Sequence, residues 1–209
     1  MKVFGLDTTR KSANIFSFDS GNSDNFYMLK MSDEVRHSEG LFLYIEKAML
    51  DCGCQISDYD YLSCVVGPGS FTGIRVGMST IKGFNKALNK IIVPINMFEI
   101  LLPEIKSGII ALNSTSTSVY YAEVENNKIV ETGVINKNDL IDKVANRTLL
   151  ILKDEQNDIG IEYNNYKVIN DLSDLYYKCV MAKIDNGDFS EFVPYYLQLS
   201  QAERNLSNE

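Results

Sequence analysis

A glycine-rich stretch, GPGSFTGIRVG at residues 67–77, follows the apolar run YLSCVV and opens a helical pattern. The free N–H groups of such a helix N-terminus can hold an anion, and Gly69 and Ser70 are the candidate contacts. A Walker A loop is excluded because no Lys-Ser or Lys-Thr follows, and Gly67, Gly69 and Gly73 are one residue too widely spaced for the dinucleotide fingerprint. The stretch predicts a turn that serves mainly close packing, with anion binding as the second interpretation.

The first predicted strand ends in the polar run Asp7, Thr8 and Thr9. Together with Ser70 these groups could surround a phosphate, as in a nucleotide-dependent transferase or hydrolase. The alternative is that Asp7 caps the turn TTRK. The candidate nucleotide or anion site is therefore Asp7, Thr8, Thr9, Gly69 and Ser70.

Histidine and cysteine usage argues against other chemistry. His37 is the only histidine, so a His-based metal site or a Ser-His-Asp triad would have to be built around it. Cys52, Cys54, Cys64 and Cys179 include no C-x-x-C pair and are interpreted as buried reduced thiols. We predict no metal site.

Composition limits the partners. The chain has 209 residues, 45% of them hydrophobic, and a net charge of -8. So acidic a protein is a poor nucleic-acid binder alone, since phosphates are gripped by clustered Lys and Arg, and RNA would have to be held mainly by a partner. Its apolar runs fall short of the roughly 18 residues that a membrane span needs, and no signal peptide is visible, so we expect a cytoplasmic protein without membrane contact.

The predicted elements repeat. Three short strands, a helix, a strand, a helix and a strand are followed after Gly108 by a second series that starts the same way. A βββαβα order that occurs twice predicts an α/β fold of two ribonuclease H-like or actin-like ATPase (ASKHA) lobes, residues 1–105 and 106–209, facing each other across a cleft. A single mixed α/β sheet is the alternative.

Two helices of the first lobe carry more apolar or small residues than one core needs. The run LFLYI at residues 41–45 is apolar on every side, and small residues recur at steps of three and four along residues 71–88. We interpret both helices as a subunit interface; alternatively, they pack on each other within the monomer. The residues of this predicted interface are Leu41, Tyr44, Gly73, Arg75, Val76, Thr80, Lys82 and Gly83.

The stretch GPGSFTGIRVGMSTIKGF closely resembles the signature of the TsaB (YeaZ) family. Other matches follow in order: Asp7-Thr8-Thr9, the His37-Ser38-Glu39 run, and Pro194-x-Tyr196-Leu197 near the end. The resemblance covers nearly the whole chain, strongly in the first lobe and weakly from about residue 115 to 190. It implies an actin-like ATPase fold, in agreement with the duplicated order.

The resemblance also implies a role: a noncatalytic scaffold subunit that pairs with the catalytic subunit TsaD, is joined by the ATPase TsaE, and supports threonylcarbamoyl transfer to A37 of tRNA (t6A modification). The tRNA would be contacted only through the complex. No intrinsic cofactor is implied, although ATP or ADP could sit at a subunit boundary. The metal-ligand positions of the catalytic relative would fall on Met97 and Leu101, which cannot serve as ligands for a hard metal ion.

Two departures from the family pattern weaken an independent ATPase function. Asn113-Ser114-Thr115 stands where the family usually has Asp-Ala-Arg, and Gln198 replaces the closing Arg. Asp7 is thereby left without a second carboxylate for a magnesium–nucleotide pair. The alternatives that remain are a nucleotide-dependent transferase or hydrolase acting alone, and a homodimer that uses the same apolar helices on a twofold axis.

Overall fold

The computed structural model describes residues 1–161 and 163–198. Its strands are β1 (Lys2–Asp7), β2 (Asn14–Asp19), β3 (Asn22–Lys30), β4 (Tyr61–Val65), β5 (Ile91–Ile95), β6 (Gly108–Asn113), β7 (Ser118–Glu125), β8 (Lys128–Asn136), β9 (Thr148–Leu152) and β10 (Tyr166–Ile169). Its α-helices are α1 (His37–Cys52), α2 (Phe71–Leu88), α3 (Met97–Leu101), α4 (Lys137–Val144), α5 (Gln156–Ile159) and α6 (Ser173–Asp185).

The two sheets have the same topology. The first has the strand order β3-β2-β1-β4-β5, and the second has β8-β7-β6-β9-β10 when read in the same direction. In each, the first three strands are antiparallel and the last two pair in parallel. The predicted duplication, and the α/β fold class of two ribonuclease H-like lobes, are therefore confirmed.

Local turns set the ends of two helices. Helix α1 begins at His37, after a turn in which Val35 N–H donates to the Ser32 carbonyl. The crossover of the second sheet carries only the four-residue α5, which ends where Gly160 adopts a left-handed conformation (φ 64°).

The chain divides into two compact units, residues 1–97 with 173–195, and residues 98–172 with 196–209. The division differs from the predicted contiguous lobes because α6 packs on the first sheet: the Tyr176 ring stacks on Phe16 at 4.6 Å, and Tyr177 meets Phe18 edge-on at 4.9 Å. Beyond α6 the chain stays on this unit, since Tyr195 N–H donates to the Val66 carbonyl at 2.8 Å.

Each unit has its own core. In the first, β1, β2 and β4 are buried almost throughout, and α2 covers them with Ile74, Met78 and Ile81. In the second, β6 and β7 supply Ile109, Ala111, Val119 and Tyr121, and α4 and β9 pack on them. Within the described residues, no helix combines the length and the hydropathy that crossing a membrane requires.

Helix α2 starts with a side-chain cap and lies very close to β1. The Ser70 hydroxyl accepts the N–H of Gly73 at 3.2 Å. A Cβ added at Gly73 would lie 1.9 Å from the Thr8 carbonyl oxygen, so no larger residue fits. Gly83 is another of the small residues that recur along α2. It is exposed, and a Cβ added there would have no atom within 4 Å.

The two glycines give a matched pair of substitutions. Gly73→Ala should lower the free energy of unfolding by about 1–3 kcal/mol, because the backbone it meets cannot move aside freely. Gly83→Ala should raise it by about 0.5–1 kcal/mol, because alanine loses less entropy in a helix and meets nothing there. Urea unfolding followed by circular dichroism measures both, and equal effects would contradict the contact with Thr8.

Candidate functional site

The glycine turn is fastened to the end of β1. Ser70 N–H donates to the Thr9 carbonyl at 2.9 Å, and the Thr8 hydroxyl donates to the Gly73 carbonyl at 2.6 Å. A Cβ at Gly69 would lie 2.3 Å from the Thr9 carbonyl oxygen. These contacts between residues 8–9 and 69–73 are hereafter called the strand-end contact. They give Gly69 and Gly73 a packing role. Anion binding at this turn stays a prediction.

Arg10 ties the same two segments together a second time. Its guanidinium Nη2 donates to the Pro68 carbonyl at 2.7 Å, and the residue is buried. A buried arginine fork that holds a carbonyl fixes the turn more firmly than backbone bonds alone. No part of the sequence pattern indicated this residue.

The carboxylate of Asp7 is fully buried and is held by its own chain. Its Oδ1 accepts the Thr9 N–H at 2.9 Å and the Thr9 hydroxyl at 2.6 Å. Its Oδ2 accepts the phenolic O–H of Tyr176 at 2.6 Å. Burial and the neighbouring charge of Asp7 raise the pKa of Tyr176, so the phenol stays a donor. Asp7 thus closes the Thr8–Thr9 turn, as the alternative interpretation proposed, and both oxygens have donors.

The predicted interface residues fall into two groups. Leu41 is 2% exposed, and Gly73 and Thr80 are also buried within the chain, with the Thr80 hydroxyl donating to the Val76 carbonyl. Tyr44 is half-buried and accepts the N–H of Ser32. The others face solvent at least in part: they are Arg75, Val76, Lys82 and Gly83.

The exposed apolar surface of α1 is formed by neighbours of Leu41. Phe42, Leu43 and Leu50, hereafter the α1 patch, are 63%, 67% and 75% exposed. The Phe42 ring meets the edge of Phe84 on α2, with centroids 6.4 Å apart, so the patch continues onto the second helix. Anchoring the helical wheel on Leu41, with its buried neighbours at steps of three and four, would have found these residues from the sequence.

The two residues on which the resemblance predicts that the metal-ligand positions fall are apolar and buried. Met97 and Leu101 are both fully enclosed. Across the described part of the chain, no cluster of three or more His, Cys, Asp or Glu could hold a metal ion. His37 instead places its Nε2 3.1 Å from the Lys11 carbonyl oxygen.

The two departures from the family pattern meet in the second unit. The Gln198 amide donates to the Ser114 hydroxyl at 3.0 Å and to the Tyr120 hydroxyl at 2.8 Å. Asn113 N–H donates to the buried carboxylate of Glu155 at 2.7 Å. Gln198 is therefore bonded to one of the other altered residues, Ser114, and to Tyr120 of β7.

Tyr176→Phe tests whether the phenol holds Asp7. Removing the hydroxyl leaves a buried carboxylate oxygen without its donor and should cost about 1–3 kcal/mol of unfolding free energy. Tyr177→Phe is the control, because that ring packs on Phe18 in the same helix turn. Chemical denaturation measures both variants, and a Tyr176→Phe protein as stable as the control would contradict the assigned bond.

Fold and site together define a two-lobed α/β protein of the ribonuclease H and actin-like kind, whose first-strand aspartate is tied into its own core. The family described as TsaD, tRNA N6-adenosine threonylcarbamoyltransferase, matches residues 33–173, more than half of the chain. The chain belongs to this family, and the predicted assignment to its TsaB (YeaZ) members is confirmed by the relatives.

Two curated relatives are tRNA threonylcarbamoyladenosine biosynthesis proteins TsaB. The one from Haemophilus influenzae is 22% identical over 135 residues, covering 62% of this chain and 56% of its own. The one from Buchnera aphidicola subsp. Schizaphis graminum is 26% identical over 114 residues, covering 51% and 54%. The matches thus span about half the length of these relatives. The solved structure of YeaZ from Pseudomonas aeruginosa shares the fold, with a TM-score of 0.69 at 14% identity over 94% of this chain and 99% of that one.

Proposed function

We propose that this protein is a noncatalytic subunit in the biosynthesis of threonylcarbamoyladenosine in tRNA, and that it binds a TsaD-type catalytic subunit through the α1 patch. The relatives named TsaB and the matching family support the pathway. The main support for this role is a combination of two observations. Asp7 is buried and hydrogen-bonded within its own chain, and α1 exposes the apolar α1 patch.

The bonds of Asp7 support a noncatalytic role. A nucleotide-dependent reaction would need this carboxylate to approach a magnesium–phosphate group, and that would require replacing donors from Thr9 and Tyr176. The apolar Met97 and Leu101 at the metal-ligand positions support the same conclusion. The subunit would contribute a rigid surface rather than reacting groups.

The α1 patch supports protein binding. Three large apolar side chains on one helix are each more than half exposed, and exposed apolar groups of this kind are typical of a partner contact. The exposed bases Arg75 and Lys82 lie on α2, where they could steer an acidic partner or form the polar rim. A net charge of -8 leaves tRNA contact to the complex. TsaE would join this assembly, with ATP or ADP at a subunit boundary.

Leu43→Glu tests the patch. A charge buried against an apolar partner face should weaken binding to the TsaD-type subunit at least about tenfold. Lys128→Glu, at an exposed position of β8, makes a larger charge change outside α1 and α2. Isothermal titration calorimetry compares the three proteins, with folding checked by circular dichroism. Binding of Leu43→Glu at wild-type strength would overturn the proposed surface.

The alternative, a nucleotide-dependent enzyme acting alone, requires the isolated chain to bind magnesium-ATP. We expect no heat of binding when magnesium-ATP is titrated into the protein alone, because both oxygens of the buried Asp7 already accept hydrogen bonds from Thr9 and Tyr176. Tight binding that Asp7→Asn abolishes would instead favour a transferase or hydrolase acting by itself. Self-pairing of the α1 patch in the isolated chain is compatible with the proposal if the TsaD-type subunit displaces it.

A further inference from the structure

A cavity of about 390 Å³ in the first unit has no part in the proposed function. It lies at the C-terminal end of α1, and its walls combine aromatic rings, carboxylates and two thiols. The residues that line it are Lys2, Ser17, Phe18, Asp19, Phe26, Tyr27, Asp51, Cys52, Cys54 and Tyr59. The volume falls in the range of small-molecule sites.

The end of α1 brings the two thiols to the same wall. Gly53 adopts a left-handed conformation with φ 61° and donates its N–H to the Leu50 carbonyl, while Cys54 N–H donates to the Met49 carbonyl. This Schellman ending reverses the chain within two residues. As a result Cys52 and Cys54 both line the cavity, half-buried, and both are free thiols.

A buried phenol stabilises one of them. The Tyr59 hydroxyl lies 3.0 Å from the Cys54 sulfur and 2.8 Å from the Ser17 hydroxyl. Because the Ser17 hydroxyl can donate to the phenolic oxygen, Tyr59 can direct its own proton at the Cys54 sulfur, where a hydrogen bond favours attack by that sulfur. Burial, followed by the charge of Cys54, raises the pKa of Cys52, which makes Cys52 the weaker first nucleophile of the pair.

We propose that Cys52 and Cys54 form a reversible intramolecular disulfide by exchange with a small-molecule disulfide that enters this cavity. The Cys54 thiolate attacks one sulfur of the small disulfide, forming a mixed disulfide and releasing one small thiolate. Cys52 then loses its proton to solvent and attacks the Cys54 sulfur, releasing the second small thiol. The protein dithiol is oxidised by two electrons, and the small disulfide is reduced to two thiols.

The two steps follow from the local charges. Once Cys54 is in the mixed disulfide its negative charge is gone, so one cause of the raised pKa of Cys52 disappears and the second attack becomes easier. Cys64 is fully buried under β1 and α2, where a small disulfide has no access. Selectivity for the C-x-C pair therefore comes from the cavity.

The experiment uses the folded full chain in buffers of increasing glutathione disulfide, quenched with N-ethylmaleimide and analysed by intact mass and peptide mapping. We expect the peptide that holds Cys52 and Cys54 to lose two hydrogens and both maleimide labels, reversibly with dithiothreitol. Cys52→Ser should stop at a glutathione adduct on Cys54. Tyr59→Phe should slow the first step about fivefold, the effect of one lost hydrogen bond to a thiolate. Cys179→Ser is the matched control and should behave as the wild type.

Three results would overturn the proposal: double labelling of the pair in the most oxidising buffer while circular dichroism reports a folded chain, disulfide formation only after unfolding in urea, or covalent dimers in place of the internal bond. Because neither the readout nor the variants involve a TsaD-type partner or the α1 patch, failure here leaves the proposed function untouched, and the reverse also holds.

Discussion

The strand-end contact is the constraint on which the first unit depends. The backbone of Thr8 and Thr9 lies against Gly69 and Gly73 so closely that a single added carbon would collide with it. This proximity requires glycine at the turn and fixes where α2 starts. It also sets the distance between α2 and the strands β1 and β4. Asp7 then serves the same contact, because its carboxylate holds the Thr8–Thr9 turn and is held in place by Tyr176.

The strand-end contact and the two helices beside it also support the proposed noncatalytic role. The glycine turn packs against the backbone of Thr8 and Thr9, and the carboxylate of Asp7 beside it has protein donors on both oxygens. With α2 fixed, α1 lies beside it with the Phe42 ring against Phe84, while Phe42 and Leu43 stay more than half exposed. A rigid two-helix face with apolar side chains suits a subunit that supports another protein better than one that turns over a substrate.

Much of the fold was predictable from the sequence, because alternating strands and amphipathic helices leave local periodic signals. The element order and its duplication belong to this class. The bond between Asp7 and Tyr176 does not: the two residues are 169 positions apart, and neither carries a local pattern that names the other. The assignment of α6 to the first unit has the same character, since it depends on ring stacking between distant segments.

The interface illustrates a finer limit. Periodicity identified the right helices, but residues 41–45 are apolar on every side of α1, and only the spacing of Leu41 to Ile45 and Ala48 marks Leu41 as buried. The small residues along α2 have two different surroundings. A close backbone requires glycine at position 73, whereas Gly83 faces open space. Small residues at helical spacing indicate close approach only where something lies opposite them.

Hydrogen exchange measured by mass spectrometry, with and without the TsaD-type subunit, tests the central claim most directly. We expect protection on binding to be concentrated in peptides from α1 and α2, with the peptides of β7 and β8 unchanged. Protection of the second sheet with no change in α1 would show that the partner binds elsewhere and that the α1 patch is not its surface.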